Sequence, residues 1–197
     1  MLIKLSVTIY IKNKRITIFV KRFLFFHFGI PFFISKVFIA FLGCTIKDGP
    51  PQYHVDVSKI PNAKPKCLPK SKYGNPSFYV MHGKHYRILQ SVRGYKKRGI
   101  ASWYGIRFHG KPTATQEPYD MLAMTGASPI LPIPCFVRVT NLSNGRSVIV
   151  KINDRGPFVS HRIIDLSYVA AKKLGYVDKG TAFVEVKTID TYTSIFN

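Results

Sequence analysis

The sequence is short of acid. Nine aspartates and glutamates face 30 lysines and arginines, giving a net charge of +21, and no acid precedes Asp48. Such an excess of cations favours contact with a polyanion: nucleic acid, an anionic membrane surface or an acidic wall polymer. Charge alone does not choose among them. Cysteine is also scarce. The three cysteines, Cys44, Cys67 and Cys135, form no CxxC pair, so zinc-ribbon and dithiol redox chemistry find no support. Long amphipathic helical patterns are lacking, and 197 residues suffice for one good core but would cramp a second.

What the first segment has is cation followed by hydrocarbon. Lys12, Lys14, Arg15, Lys21 and Arg22 precede the apolar stretch 23–43, which Pro31 and Lys36 interrupt and Cys44 ends. Positive charge, then an apolar run, then small residues is the layout of an export signal. An uncleaved signal anchor is the alternative. Leu42-Gly43-Cys44 resembles the end of a bacterial lipobox, with Phe41 where an aliphatic residue is usual, and marks Cys44 as the lipid-attachment site. Export would leave Cys67 and Cys135 as one disulfide or as two thiols, and the spacing does not decide.

The organisation expected is an export segment over 1–43, an extended linker over 44–77, a folded unit over 78–189 and a tail over 190–197. The linker is rich in Pro, Lys and Asn and has no sustained period. Residues 78–89 alternate around His82-Gly83 as a hairpin does. Short strand-like runs follow at 100–104, 122–125, 136–140, 148–152, 163–164 and 182–189, with a tight-turn signal at Asn144-Gly145. A helix is expected over 165–174, capped by Asp165 or Ser167, with Lys172 and Lys173 complementing the dipole and Gly175 ending it. Many short strands with one helix read as a mainly β fold, a small closed barrel.

Because acids are few, each one is informative. Helix capping accounts for Asp165, a loop for Asp178, and the outward face of the last strand for Glu185. Glu117, Asp120 and Asp154 remain. Asp154 stands where a strand runs into Arg155-Gly156-Pro157, well placed to face a groove; equally, it can cap that turn or pair with Arg155.

The motifs Ala101-Ser102-Trp103-Tyr104-Gly105, Phe108-His109-Gly110, Glu117-Pro118-Tyr119-Asp120-Met121, Asn144-Gly145-Arg146, Asn153-Asp154-Arg155-Gly156-Pro157-Phe158 and Arg162-Ile163-Ile164-Asp165-Leu166-Ser167 follow one another in this order. Over about residues 98–189 the chain resembles the rare lipoprotein A (RlpA) family of lytic transglycosylases. The resemblance implies a six-stranded double-psi β-barrel related to expansins, with no cofactor. It implies cleavage between N-acetylmuramic acid and N-acetylglucosamine in peptidoglycan strands freed of stem peptides, leaving a 1,6-anhydro end. Carried over by position, Asp154 is the catalytic acid and base and Glu117 a second catalytic carboxylate, whose charge would help raise the pKa of its neighbour. The family's histidine position holds Ser128, which is expected to touch substrate with Arg155 and implies either slow turnover or glycan binding without turnover.

Trp103, Tyr104 and Tyr119 are candidates for stacking on sugar rings, with burial in the barrel an equal reading for Trp103. His82 and His85 read as solvated turn residues, and no metal site is expected. The expected partners are peptidoglycan strands, the membrane through the N-terminal anchor, and division proteins. Septal targeting is in question, because no SPOR module follows the barrel in this sequence. The expected place is the periplasm, lipid-anchored to the outer membrane. A nucleic-acid partner is not expected, because export separates the two and no recognition motif appears.

Overall fold

The computed structural model describes residues 48–191, together with the backbone of 5–11 and 14–20. The export segment beyond those two strands and the lipid-attachment candidate Cys44 lie outside the described residues. Strands β1 (Leu5–Ile11) and β2 (Lys14–Val20) pair antiparallel and form a unit of their own. No helix among the described residues is long and apolar enough to cross a membrane.

In the larger unit a hairpin comes first. Strands β3 (Phe78–Met81) and β4 (Lys84–Arg87) pair across His82-Gly83. Both turn residues are left-handed, at φ 50° and 74°, the conformation that a two-residue hairpin of this kind requires. Six further strands close a barrel: β5 (Lys96–Tyr104), β6 (Thr125–Ala127), β7 (Cys135–Asn141), β8 (Ser147–Asp154), β9 (Arg162–Ser167) and β10 (Ala182–Ile189). Around it they run β10-β5-β9-β6-β8-β7, with β7 pairing back to β10. The pairs β5/β9 and β6/β8 are parallel and the others antiparallel. Exchanging β5, β6, β7 for β8, β9, β10 leaves this pattern unchanged, so the barrel is two interlocked halves related by an approximate two-fold. The expected six-stranded barrel with one short helix is what forms.

Alternation along the strands fills the interior. Val137, Val139, Val148, Val150, Ile152, Ile164, Leu166, Val184 and Val186 turn inward. Each is worth about 1.5–3 kcal/mol of burial. Helix α1 (Tyr168–Leu174) packs Val169, Ala170, Ala171 and Leu174 against them. Ser167 caps it, its hydroxyl accepting from Ala170 N–H at 3.3 Å, and left-handed Gly175 ends it. Asp165 therefore does not cap the helix: residues 165–167 are still strand β9, because they pair with β5 and β6.

The segment upstream of the hairpin is extended but does not hang free. Asp48 accepts the N–H groups of Gly105 and Arg107, Asn62 accepts from Ile149, and Ala63 donates to Ile149. Val57, Ile60 and Ala63 pack on the barrel core. These residues form a strap rather than a spacer. It passes so closely over Gly105 that a Cβ there would meet the Gly49 carbonyl oxygen at 2.1 Å. Gly105→Ala should cost about 1–3 kcal/mol in urea denaturation, as overpacking does, and should expose the strap to limited proteolysis at lower denaturant than wild type.

Candidate active site

Asp154 ends β8, and its partner comes from the loop after β5. Its Oδ1 accepts the backbone N–H of Ala114 at 2.8 Å and that of Arg155 at 2.8 Å. Oδ2 takes no bond from the described residues. Burial raises the carboxyl above the ordinary aspartate range; the two N–H bonds and the Arg155 charge pull the other way without cancelling it. The expectation that Glu117 would raise it is corrected here: desolvation does so, and Glu117 is not among the causes.

The Glu117 pKa is shifted in the opposite direction. Lys151 Nζ meets its two oxygens at 2.9 and 2.8 Å, and Asn153 Nδ2 donates to Oε2 at 2.9 Å. Partial burial pushes its pKa up, but the bonds from Asn153 and Lys151, with the Lys151 charge, outweigh it and leave Glu117 below its ordinary value. The loop carrying it is tightened by Gln116 at φ 68° and docked on β8 by Thr115 N–H to Asn153 O at 3.2 Å. Ala114 thus touches Asp154 while Glu117 touches Asn153. One short segment, 114–117, meets at one end a carboxyl whose pKa is raised and carries at the other a carboxylate whose pKa is lowered. A groove of about 340 Å³ opens beside Glu117, walled by Lys151, Thr115, Pro134 and the strap from Lys66 to Ser71. Asp154 does not line it.

Other expected site residues do different work. Arg155 turns its guanidinium away from Asp154 onto the carbonyls of Gly74 (2.7 Å), Ser128 (3.0 Å) and Leu131 (2.6 Å) and onto Asn75 Oδ1 (3.1 Å). Ser128 is buried, and its hydroxyl accepts from the N–H groups of Ile130 and Leu131, so it caps a turn instead of facing substrate. Tyr104 and Tyr119 are buried and stack on each other at 4.1 Å, with the Tyr119 hydroxyl donating to the Tyr104 carbonyl. Neither ring offers a face to a sugar. Trp103 is half-buried, edge-on to Tyr168, with Nε1 donating to Val177 O at 3.3 Å. Asp120 caps Leu122 N–H, and His109 Nδ1 accepts from Met121 N–H. Cys67 and Cys135 are both free thiols.

Residues 96–186 match the double-psi β-barrel family described as lytic transglycolase. The chain is 54% identical over 144 residues to the endolytic peptidoglycan transglycosylase RlpA of Pseudomonas aeruginosa, which covers 73% of this chain and 42% of that protein. With the protein of the same name from Vibrio cholerae it shares 49% over 142 residues, 72% of this chain and 54% of that one. The barrel belongs to the RlpA family. The chain spans about half the length of these curated relatives. Among solved structures, the expansin of Clavibacter michiganensis aligns with a TM-score of 0.39 at 21% identity, over 49% of this chain and 51% of that one.

Sequence reasoning singled out Asp154 and Glu117 in this RlpA-family barrel but missed the contacts that shift their pKa values. Lys151 and Asn153 stand two apart on β8, hence on one face, and that spacing was the available signal. The strap wall at Lys66–Ser71 had none.

Two outcomes follow from the electrostatics. In Asp154→Asn the amide oxygen can still accept both N–H bonds while the buried charge is gone. A raised folded pKa means wild type loses stability as pH rises from about 4, the unfolded value, through the folded one. The variant should lack that slope and have the higher Tm at pH 7 by calorimetry. For Glu117, whose value is depressed, the Lys151 pairing stabilises above the unfolded value and is lost as pH falls. Lys151→Met should therefore move the Glu117 carboxyl resonance to titrate at higher pH in NMR.

Proposed function

We propose that this chain is a lytic transglycosylase that cleaves the N-acetylmuramic acid to N-acetylglucosamine bond of peptidoglycan strands without water. The observation that carries the reading is the Asp154 carboxyl, raised by burial and fixed through Oδ1 so that Oδ2 is left to hold a proton. The names of the relatives support it.

In this reading the protonated Oδ2 gives its proton to the glycosidic oxygen as the C1–O bond breaks, leaving positive charge at C1. The same carboxyl, now ionised, takes the proton of the C6 hydroxyl, whose oxygen closes on C1. The product ends in a 1,6-anhydro ring, and Asp154 is protonated again. One group can serve both steps because its pKa lies nearer working pH than that of an ordinary aspartate. Glu117, kept ionised by Lys151 and Asn153, supplies fixed negative charge for the developing cation or an acceptor for a sugar hydroxyl. Such work belongs outside the cytoplasm, at the cell wall. Lipid attachment at Cys44, an outer-membrane anchor and contact with division proteins are part of this proposal; labelled palmitate incorporated by wild type and lost in Cys44→Ala tests the anchor.

Ser128 favours a second reading. With its hydroxyl turned into the 128–131 turn, nothing at that position reaches a bound sugar, as expected of a strand-binding protein without turnover. Incubating the full chain with peptide-free strands and reading anhydro-muramic ends by mass spectrometry separates the two. Wild type should yield product, and Asp154→Asn should lose at least about 100-fold, the lower range for a general acid. Product at wild-type rate from the variant removes Asp154 from the role. A silent wild type that still binds strands supports the second reading.

A further inference from the structure

The hairpin β3–β4 lies outside the matched family barrel, yet it is built onto the loop that follows Asp154. Tyr79 and Tyr86 stack at 5.1 Å, and both meet the Phe158 ring edge-on, at 6.1 and 5.7 Å. The Tyr79 hydroxyl donates to Pro129 O at 2.7 Å. Beneath the hairpin, between it and residues 157–163, is a cavity of about 230 Å³.

The lining of this cavity has two parts. Tyr86, Pro129, Ile130, Pro157, Val159 and Ile163 give an apolar floor. Lys84, Arg87, Lys97 and Arg162 give a cationic rim drawn from three separate stretches of chain, with His85 and His161 beside them, and no carboxylate lines it. Arg162 is paired with Asp165 at 3.3 Å. Among the described residues Lys84, Arg87 and Lys97 make no ion pair, although Lys84 lies over the Tyr86 ring at 5.5 Å. His161 is held left-handed at φ 75°, a conformation that a non-glycine residue adopts at some cost and that recurs where a site needs it. Bringing three unpaired cations to one hollow is unfavourable unless an anion joins them.

The geometry points to a subsite for a carboxylate-bearing sugar in this cavity, occupied by a residue of the strand whose scissile bond lies at Asp154. An apolar floor beside a ring of cations matches a sugar acid, which has a C–H face and a carboxylate. A bare phosphate would need the cations alone. Pro157 and Val159, which line the hollow, follow Asp154 by only three and five residues, so the hollow is tied to the acid by a short length of chain. The inference rests on the glycan-strand reading above for the identity of the polymer, but not on turnover.

The test uses the full chain carrying Asp154→Asn, so that binding is read without cleavage. Its ligands are peptide-free strands with free lactyl carboxylates, and the same strands with those carboxyls reduced to alcohols. Adding Lys84→Gln and Arg87→Gln, both exposed, should weaken binding of the acidic strand by about tenfold, about 1.4 kcal/mol, and flatten its salt dependence. Binding of the reduced strand should be weaker at the outset and unchanged by the two substitutions. Lys97→Gln, on a different element, should reproduce the loss in part. Unaltered binding of the acidic strand, or equal loss with both ligands, overturns the carboxylate subsite. Inorganic phosphate that displaces the strand at matched ionic strength better than chloride also overturns it, in favour of a phosphate site. Carboxylate discrimination that persists while wild type forms no anhydro ends leaves the subsite standing and removes only the lyase.

Discussion

The guanidinium of Arg155 binds four acceptors on two stretches of chain: Gly74 and Asn75 of the strap, and Ser128 and Leu131 of the segment between β6 and β7. Its own backbone N–H meets Asp154. A planar donor fork is suited to such a junction, because its several N–H groups lie in fixed directions and stay charged when buried. Removing it would leave buried carbonyls without partners, a loss larger than any one of these bonds contributes. The acid is therefore aimed by a residue that never faces it. The side chain next to Asp154 in sequence bonds to the scaffold, while its N–H and its charge both act on the carboxyl.

Around that junction the pKa values of two carboxylates are shifted in opposite directions by different means. Asp154 is part-buried and receives only backbone donors, so desolvation prevails and its pKa is raised above the ordinary aspartate range. Glu117 is half-open and receives a lysine and an amide, so its charge is retained. Segment 114–117 docks on Asn153 and Asp154 together, which makes one loop the common support of both. Such a separation of two titratable groups by their surroundings is what the proposed acid–base role requires.

Much of the fold was legible because side-chain alternation and turn chemistry are local. The run AFVEVKTI gives β10 at its observed bounds, and His82-Gly83 gives the hairpin. Strands β6 and β9 were harder. Three residues, Thr125–Ala127, are too few for a period, and Asp165 reads as a helix cap until its pairing with Ser102 and Ala127 is seen. The aromatics misled for a related reason: Tyr104 and Tyr119 are typical of sugar platforms by type, but here they stack on one another inside the wall of the barrel. Ser128 was placed in the cleft by alignment of position alone, and its hydroxyl is spent on the turn.

The order of motifs determined the family and the barrel and singled out Asp154 and Glu117 as candidates, since these depend on residue types at fixed local spacing. The pairing of β5 with β9 and β6 with β8 came only with the tertiary structure. So did the strap over Gly105, the Lys151–Glu117 contact and the cationic hollow under the hairpin. Each of these joins residues tens of positions apart. Their meeting is decided by closure of the barrel, which no local pattern encodes, and the charge each carboxyl carries is decided by what that closure brings beside it.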